Sequence, residues 1–443
     1  MPNLAESAAD AFIVGYPLVY NVNSLQAIAG KGMGSLPAAP FNRFAFAREL
    51  ATPEAAFVSV NNDTVYATAQ LDLSGGPLTL HVPDTDGAYY VLQFVDAWTN
   101  NFAYIGRRAT GTAEARYLIA GPSWDGENPH GLVVVDAPTD IVSIVGRLAC
   151  SGADDLPRVL ELQRHFTLAP ENGNGPPVGI PQGNPRLPDG LSFWNQLRLW
   201  SQAFPPAGDD LDSLATLGEA LGLLDRGDPY ASPAPSLAAG LADGLVAGRE
   251  RLEEAARATD PDAVNGWQMS LHLFDYNRSS FSVGTIDTEE WKIDDRDAAQ
   301  LDRAVAARNA LWGNHAYEAV YPQTFVDDSG EQLTGAGRYQ ITFTELPPVD
   351  AFWSMTMYSA PEYYLVENPI ERYSIGDRTE GIHYDDDGSL TIYLQHDEPT
   401  DPIRTANWLP SPEGEFRPMI RIYQPREAVL DGSYTLPPIR RTG

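Results

Sequence analysis

Two separated stretches of the chain, from about residue 57 to 148 and from about 324 onward, break into short β-rich runs. Each run is bounded by Gly, Pro or Asp turns. Runs at 65–73, 78–82, 88–98, 116–120, 132–135 and 141–147 form the first set, and runs at 339–344, 352–358, 390–394 and 419–423 the second. Many short strands at this spacing predict a sandwich or barrel at each end. Between them the periodicity becomes helical, with helices predicted over 154–166, 193–203, 211–224, 237–258 and 298–317. In the 237–258 segment, Leu237, Leu241, Leu245 and Leu252 form an apolar stripe, and Glu250, Glu253 and Glu254 a solvated side. A further helix is predicted over 4–29, with Gly15 and Pro17 expected to kink or interrupt it.

The Gly/Pro/Asn-rich loop 169–190 is long enough to be expected to be functional or mobile. Segments 327–330 and 385–388 read as hairpin turns. The expected architecture is mixed α and β and β-dominated: an N-terminal helix plus β-sandwich over 1–150, a helical region over 151–320, and an antiparallel β-sandwich or jelly-roll domain over 321–443.

Charge narrows the function. The 443 residues carry 29 Lys+Arg against 60 Asp+Glu, a formal net charge of −31. Such a surface repels phosphate backbones and anionic headgroups, so neither nucleic acid nor a membrane is an expected partner. With 43% apolar residues the chain is globular in composition. The single cysteine, Cys150, excludes an intrachain disulfide and reads as buried packing. The N-terminus shows no basic leader and no run reaches 18 apolar residues, so the expectation is a soluble, cytoplasmic protein.

Several searches for catalytic motifs return nothing. There is no G-x-S-x-G, and Gly30-Lys31-Gly32-Met33-Gly34-Ser35 lacks phosphate-loop spacing. The histidines show no metal-ligand spacing and the 385–387 acids lack the rest of a calcium loop, so no metal or redox cofactor is expected.

Chemistry concentrates in a few segments. Val60-Asn61-Asn62-Asp63-Thr64-Val65-Tyr66 sets consecutive polar residues at the mouth of a strand. Asx turns explain it as well as a ligand cleft does. Tyr66, Thr68 and Gln70 then share one strand face. The aromatic run 87–104 carries Gln93 and Asp96; a buried carboxylate there needs a partner, and Arg107 or Arg108 are candidates. In the C-terminal part, Ser354, Thr356 and Tyr358 alternate on one side. His396 ends a strand beside acids that would fix its tautomer, and Trp98 and Trp408 are either core residues or stacking platforms.

These segments carry a resemblance. Asn-Asn-Asp-Thr-Val-Tyr (61–66), Leu-Asp-Leu-Ser (71–74), Val-Pro-Asp-Thr (82–85) and Arg-Arg-Ala-Thr-Gly-Thr (107–112) resemble the N-terminal part of a bacterial and fungal two-domain family. Its halves are known only as domains of unknown function 1254 and 1214. Phe-Trp-Ser-Met-Thr-Met-Tyr (352–358), Asn-Pro-Ile-Glu-Arg-Tyr-Ser-Ile-Gly-Asp-Arg (368–378), Leu-Gln-His-Asp (394–397) and Asn-Trp-Leu-Pro (407–410) are similar to its C-terminal signature. The resemblance implies two β-sandwich or jelly-roll-like domains with helices packed around them, and a tendency to form homo-oligomers. It implies no established reaction. Val60-Asn61 stands where relatives often have proline before the turn.

Two functions follow from the mixed chemistry of these motifs. One is an enzyme acting on a small organic substrate by metal-independent acid–base chemistry: hydrolysis, elimination or cyclisation. Asp63 or His396 would be its base, Tyr66 or Tyr373 its proton donor. Asn62, Thr64, Asp96, Arg108, Arg378, Asn407, Trp408 and Arg421 would bind substrate, the arginines suiting an anionic group. The other is a non-catalytic binder of a small molecule or glycan. A third reading makes the motifs staples between the two β domains.

Overall fold

The computed structural model describes residues 3–55, 58–128, 130–171, 173–257 and 263–443. Phe57, where the first β-rich stretch begins, and Ala258, where the 237–258 helix is predicted to end, lie outside them.

Helix α1 (Leu4–Lys31) is capped by Asn3, whose side chain accepts from the Glu6 amide while Glu6 reaches back to the Asn3 amide. It runs as one helix through Gly15 and Pro17. Packing is the reason. Phe12, Leu18, Val22 and Leu25 are buried among other helices, and that burial outweighs the hydrogen bond Pro17 cannot make. Gly15 also has a use, since a Cβ there would lie 2.5 Å from the Leu197 side chain.

Strands β1 (Arg43–Phe46), β2 (Thr64–Asp72), β3 (Leu78–Val82), β4 (Tyr90–Asp96), β5 (Asn101–Gly106), β6 (Ala115–Ala120), β7 (Val133–Asp136) and β8 (Ile141–Ala149) follow, then α2 (Leu156–Gln163) and β9 (Thr167–Pro170). They form two sheets ordered β1-β2-β8-β4-β5 and β7-β6-β3-β9. Val65, Ala67, Leu92, Phe94 and Ile144 of the first sheet meet Leu78, Leu80, Tyr117 and Ile119 of the second in one core. The alternation of β2 therefore puts its apolar set between sheets, as period two requires. Its other face, with Thr68 and Gln70, is neither solvent nor cleft. Both are buried, and the Ser143 hydroxyl donates to Gln70 at 2.5 Å.

Four helices cover that outer face with α1: α3 (Asp189–Ala203), α4 (Asp209–Leu221), α5 (Pro235–Ala256) and α6 (Arg296–Ala310). The apolar stripe of α5 is buried at Leu241, Leu245 and Leu252. Beside it runs a second stripe of Gly240, Gly244 and Gly248. A Cβ at Gly244 would meet that of Ala8 at 2.2 Å, so this row sets how closely α1 and α5 approach. The loop expected to be functional or mobile is tied along the β2–β3 turn. The Gly175 amide donates to the Gly75 carbonyl (2.7 Å), the Val178 amide to Ser74 Oγ (2.8 Å) and the Gly179 amide to Asp72 Oδ2 (2.8 Å).

The C-terminal part holds β10 (Ala319–Val320), β11 (Tyr339–Phe343), β12 (Val349–Ser359), β13 (Ser374–Gly376), β14 (Leu390–Gln395), α7 (Pro402–Ala406), β15 (Trp408–Pro410), β16 (Phe416–Pro425), α8 (Glu427–Leu430) and β17 (Arg440–Arg441). Sheets ordered β10-β16-β12-β13 and β15-β14-β11-β17 enclose Ile341, Phe343, Met355, Met357, Ile392 and Ile420. The molecule is thus mixed α and β, β-rich and largely antiparallel. Two pairs depart from antiparallel: β6 with β7 and β14 with β15 run parallel. Each is joined by a crossover, 121–132 and 396–407, of the length such a return needs.

The two sandwiches meet through buried polar groups. Arg108 Nε donates to Glu318 Oε2 at 2.6 Å, and its Nη2 to the Gly284 carbonyl at 2.7 Å. Tyr89 donates to the other Glu318 oxygen at 2.9 Å. The Glu318 side chain is 1% exposed, so the pair is desolvated. Nearby, His315 Nδ1 faces the hydroxyls of Tyr104 (3.1 Å) and Tyr317 (3.0 Å). The Asp275 carboxylate, 3.8 Å from His315 Nε2, lies closer to His272 Nδ1, at 2.7 Å. Burial, and next the Arg108 charge, push the imidazole down to about 3.

Two outcomes follow. Arg108→Met leaves the buried Glu318 carboxylate without a counter-charge, held only by Tyr89, and should cost roughly 3–5 kcal/mol in urea denaturation. His315 is neutral when folded but titrates near 6.5 when unfolded, so its contribution is complete above that value. It is lost as pH falls toward 3. The difference between wild type and His315→Gln should display that slope in a pH series of denaturation curves.

Candidate functional site

Between the sandwiches, segment 59–64 of the first lies across β12 and β16 of the second. Antiparallel register sets Ser354 opposite Arg421 and Tyr358 opposite Arg417. Alternation then aims Ser354, Thr356, Tyr358, Arg417, Arg421 and Tyr423 toward the incoming turn. Tyr358 Oη donates to the Val60 carbonyl at 2.6 Å, and Arg421 donates to the Ser59 carbonyl (2.7 Å) and Thr356 Oγ1 (3.0 Å). Arg417 donates to Ser59 Oγ.

Asn61 is the hinge of the turn. Its Oδ1 accepts from the amides of Asp63 (2.5 Å) and Thr64 (3.1 Å), an Asx turn, while its Nδ2 donates to Tyr423 Oη at 2.5 Å. Asn62 turns the other way, donating to the Ala51 carbonyl at 2.6 Å and accepting from Ser374 at 3.3 Å.

Asp63 comes to rest on the floor of a cavity of about 680 Å³ between the two sandwiches. Asn62, Cys150, Ser354, Tyr373 and Arg378 also line it. That volume lies within the range of small-molecule sites, about 300–1,000 Å³. A second hollow, at Arg303 and Asp210, holds only about 20 Å³, room for one water.

Asp63 is 3% exposed. Ser354 donates to its Oδ2 at 2.6 Å, while its main-chain carbonyl accepts from the Cys150 amide (3.0 Å) and Arg378 Nη2 (3.2 Å). Among the described residues no donor reaches Oδ1. Arg378 lies over the Phe352 ring, 3.4 Å from its centroid. Tyr373 is pushed above the ordinary phenol value by burial, and then by Glu371, Glu367 and Glu54. The Cys150 thiol is raised by burial and donates to the Gly152 carbonyl at 3.3 Å, consistent with packing.

Of the residues singled out in the sequence, the cavity gathers Asn62, Asp63, Tyr373 and Arg378. Thr64, Tyr66 and Arg421 lie behind the turn: Thr64 and Arg421 are buried, and Tyr66 stacks near Arg147, 5.7 Å from its ring. His396 is elsewhere, 45% exposed, with Nδ1 against the Ser411 carbonyl (3.0 Å) and Nε2 3.8 Å from Glu413. It is not among the residues that line the cavity with Asp63.

Asp96 closes the β4–β5 turn, accepting from the amides of Trp98 (2.9 Å) and Asn100 (2.8 Å), and burial raises it to about 6. Neither arginine that follows it pairs with it. Arg107 donates to the Asp350 carbonyl and Arg108 to Glu318. Asn407 bridges His383 and the Thr391 carbonyl inside the second sandwich. Trp98 and Trp408, each 1% exposed, are core residues and not stacking platforms.

Ser354 and Ser374 were not singled out as site residues. For Ser354 the signal was present in the Ser-x-Thr-x-Tyr alternation of β12. Ser374 reaches Asn62 only through tertiary contact. Among the described residues no three His, Cys, Asp or Glu side chains gather as a metal set.

The comparisons with known proteins fit this geometry. A model described as a protein of unknown function (DUF1254) matches residues 41–170, which include Asp63, and one described as a protein of unknown function (DUF1214) matches 318–427, which include Ser354, Tyr373 and Arg378. Among solved structures, the VPA0106 protein of Vibrio parahaemolyticus aligns over 100% of both chains at 24% identity and a TM-score of 0.73, a likeness of fold. An uncharacterised protein of Burkholderia cenocepacia aligns over 98% of this chain and 88% of its own, at 12% identity and a TM-score of 0.46. The curated proteins contain no match. With one model on each sandwich, in the order the motifs imply, the chain belongs to the two-domain DUF1254–DUF1214 family.

Proposed function

We propose that the chain is an enzyme acting on a small organic molecule held in the cleft between the sandwiches, with Asp63 as its acid–base group. The observation that supports this most is the state of that carboxylate. Oδ2 is oriented by Ser354, the main-chain carbonyl is held by Cys150 and Arg378, and Oδ1 of this cavity-lining residue has no donor among the described residues. A fixed, unshared acceptor in a cleft of this size is what proton abstraction from a bound substrate needs. Tyr373 stands in the lining as the proton donor; its raised phenol stays protonated at neutral pH. The cleft chemistry suits hydrolysis, elimination or cyclisation, and requires neither His396 nor Trp408.

Untargeted metabolite profiling of a deletion strain supplies the substrate. With it, Asp63→Asn keeps an acceptor for Ser354 and should lower kcat by about 10²–10⁴-fold, while His396→Ala leaves turnover unchanged. Full turnover in a correctly folded Asp63→Asn protein would remove Asp63 from the mechanism.

A further inference from the structure

The cavity lining is asymmetric in charge. Glu54, Asp63, Glu367, Glu371 and Glu380 contribute carboxylates, and Arg372 and Arg378 the guanidiniums. Both arginines are engaged. Arg372 Nη1 donates to the carbonyls of Thr405 (3.3 Å), Ala406 (2.9 Å) and Trp408 (2.9 Å) at the end of α7. Arg378 is laid on Phe352 and donates to the Asp63 carbonyl.

An acidic rim alone decides little in a chain with 60 acids to 29 bases. The floor decides more. Asp63 is 97% covered, and no basic nitrogen of the described residues lies within the 4.0 Å ion-pair distance of its carboxylate. The buried Arg421 charge acts on it only from beyond that distance, so the carboxylate is partly balanced and lacks a direct ionic partner, which a ligand cation supplies. Glu54, Glu367 and Glu371 line the same cavity and their charges bear on the Tyr373 phenol, so an entering cation gains from the rim charge.

We infer that the cleft takes a small organic cation, a protonated amine or amidine whose N–H reaches Asp63 Oδ1 while its charge is shared with the Glu367–Glu371 rim. The inference rests on the reading of the cleft as a ligand site centred on Asp63, and names the chemical class of what enters. An anionic substrate, which the arginines of the sequence suggest, would meet five carboxylates against two guanidiniums, each already donating to main-chain carbonyls.

The test is calorimetric titration of the full chain with three matched probes: phenethylamine, phenethyl alcohol and phenylacetate. The amine should bind about tenfold or more tighter than the alcohol, and the acid should bind least. The advantage of the amine should shrink at high salt, as the rim contribution is screened. Asp63→Asn should remove most of the amine preference. Glu367→Gln/Glu371→Gln, confined to exposed side chains and so harmless to folding, should weaken amine binding a few-fold and flatten its salt dependence.

Phenylacetate or the alcohol binding as well as the amine, with that binding lost in Asp63→Asn, overturns the cation assignment and leaves the ligand site standing. Binding of no probe, or binding indifferent to Asp63→Asn, overturns both.

Discussion

The arrangement of the two sandwiches depends on a buried guanidinium satisfied by main-chain and hydroxyl oxygens. Arg421 is 3% exposed, and its donors go to the Ser59 carbonyl and Thr356 Oγ1. Burial alone would depress it, but the phenols of Tyr358 and Tyr423 and the charge of Asp63 hold it up. Its neighbour Arg417, with weaker compensation, is pushed down to about 10. Because carbonyl oxygens of the 59–64 turn complete this cluster, the turn must dock in one conformation. That conformation spends Asn61 and the turn carbonyls on structure, while one oxygen of Asp63 keeps no donor among the described residues. The turn is thus a staple at Ser59, Val60 and Asn61, and the proposed cleft chemistry rests on the adjacent Asp63.

What was legible in the sequence was what local periodicity encodes. The α5 stripe at Leu241, Leu245 and Leu252 and the β12 alternation at Ser354, Thr356 and Tyr358 follow from 3.6- and 2-residue repeats. Short strands such as β1, β9 and β15 escaped, because a few residues carry no period. The fate of the polar face of β2 also escaped. Thr68 and Gln70 read in sequence as a ligand-cleft or a solvent face, and are covered by α1 and by helices that begin over a hundred residues later.

The candidate site was half legible for the same reason. Asp63 and Asn62 declared themselves as a polar cluster at a strand mouth. Their partners Ser354 and Ser374 lie some 300 positions away, and only tertiary structure selects them over His396 or Asn407. Arginines misled in particular. A guanidinium in a motif suggests an anion, yet Arg372, Arg378 and Arg421 all give donors to backbone carbonyls, roles that spacing does not distinguish from ligand binding.

The turn that docks on β12 and β16 also bears on how the chain can change. Asn61 is read by Tyr423, Val60 by Tyr358 and Ser59 by Arg417 and Arg421, each pair straddling the boundary between the two halves. A replacement on one side is judged by a residue some 300 positions distant, so the halves are bound in mutual epistasis. Neither can be exchanged for a relative's copy unless its matching surface travels with it, and the cavity they share has no existence in either one alone.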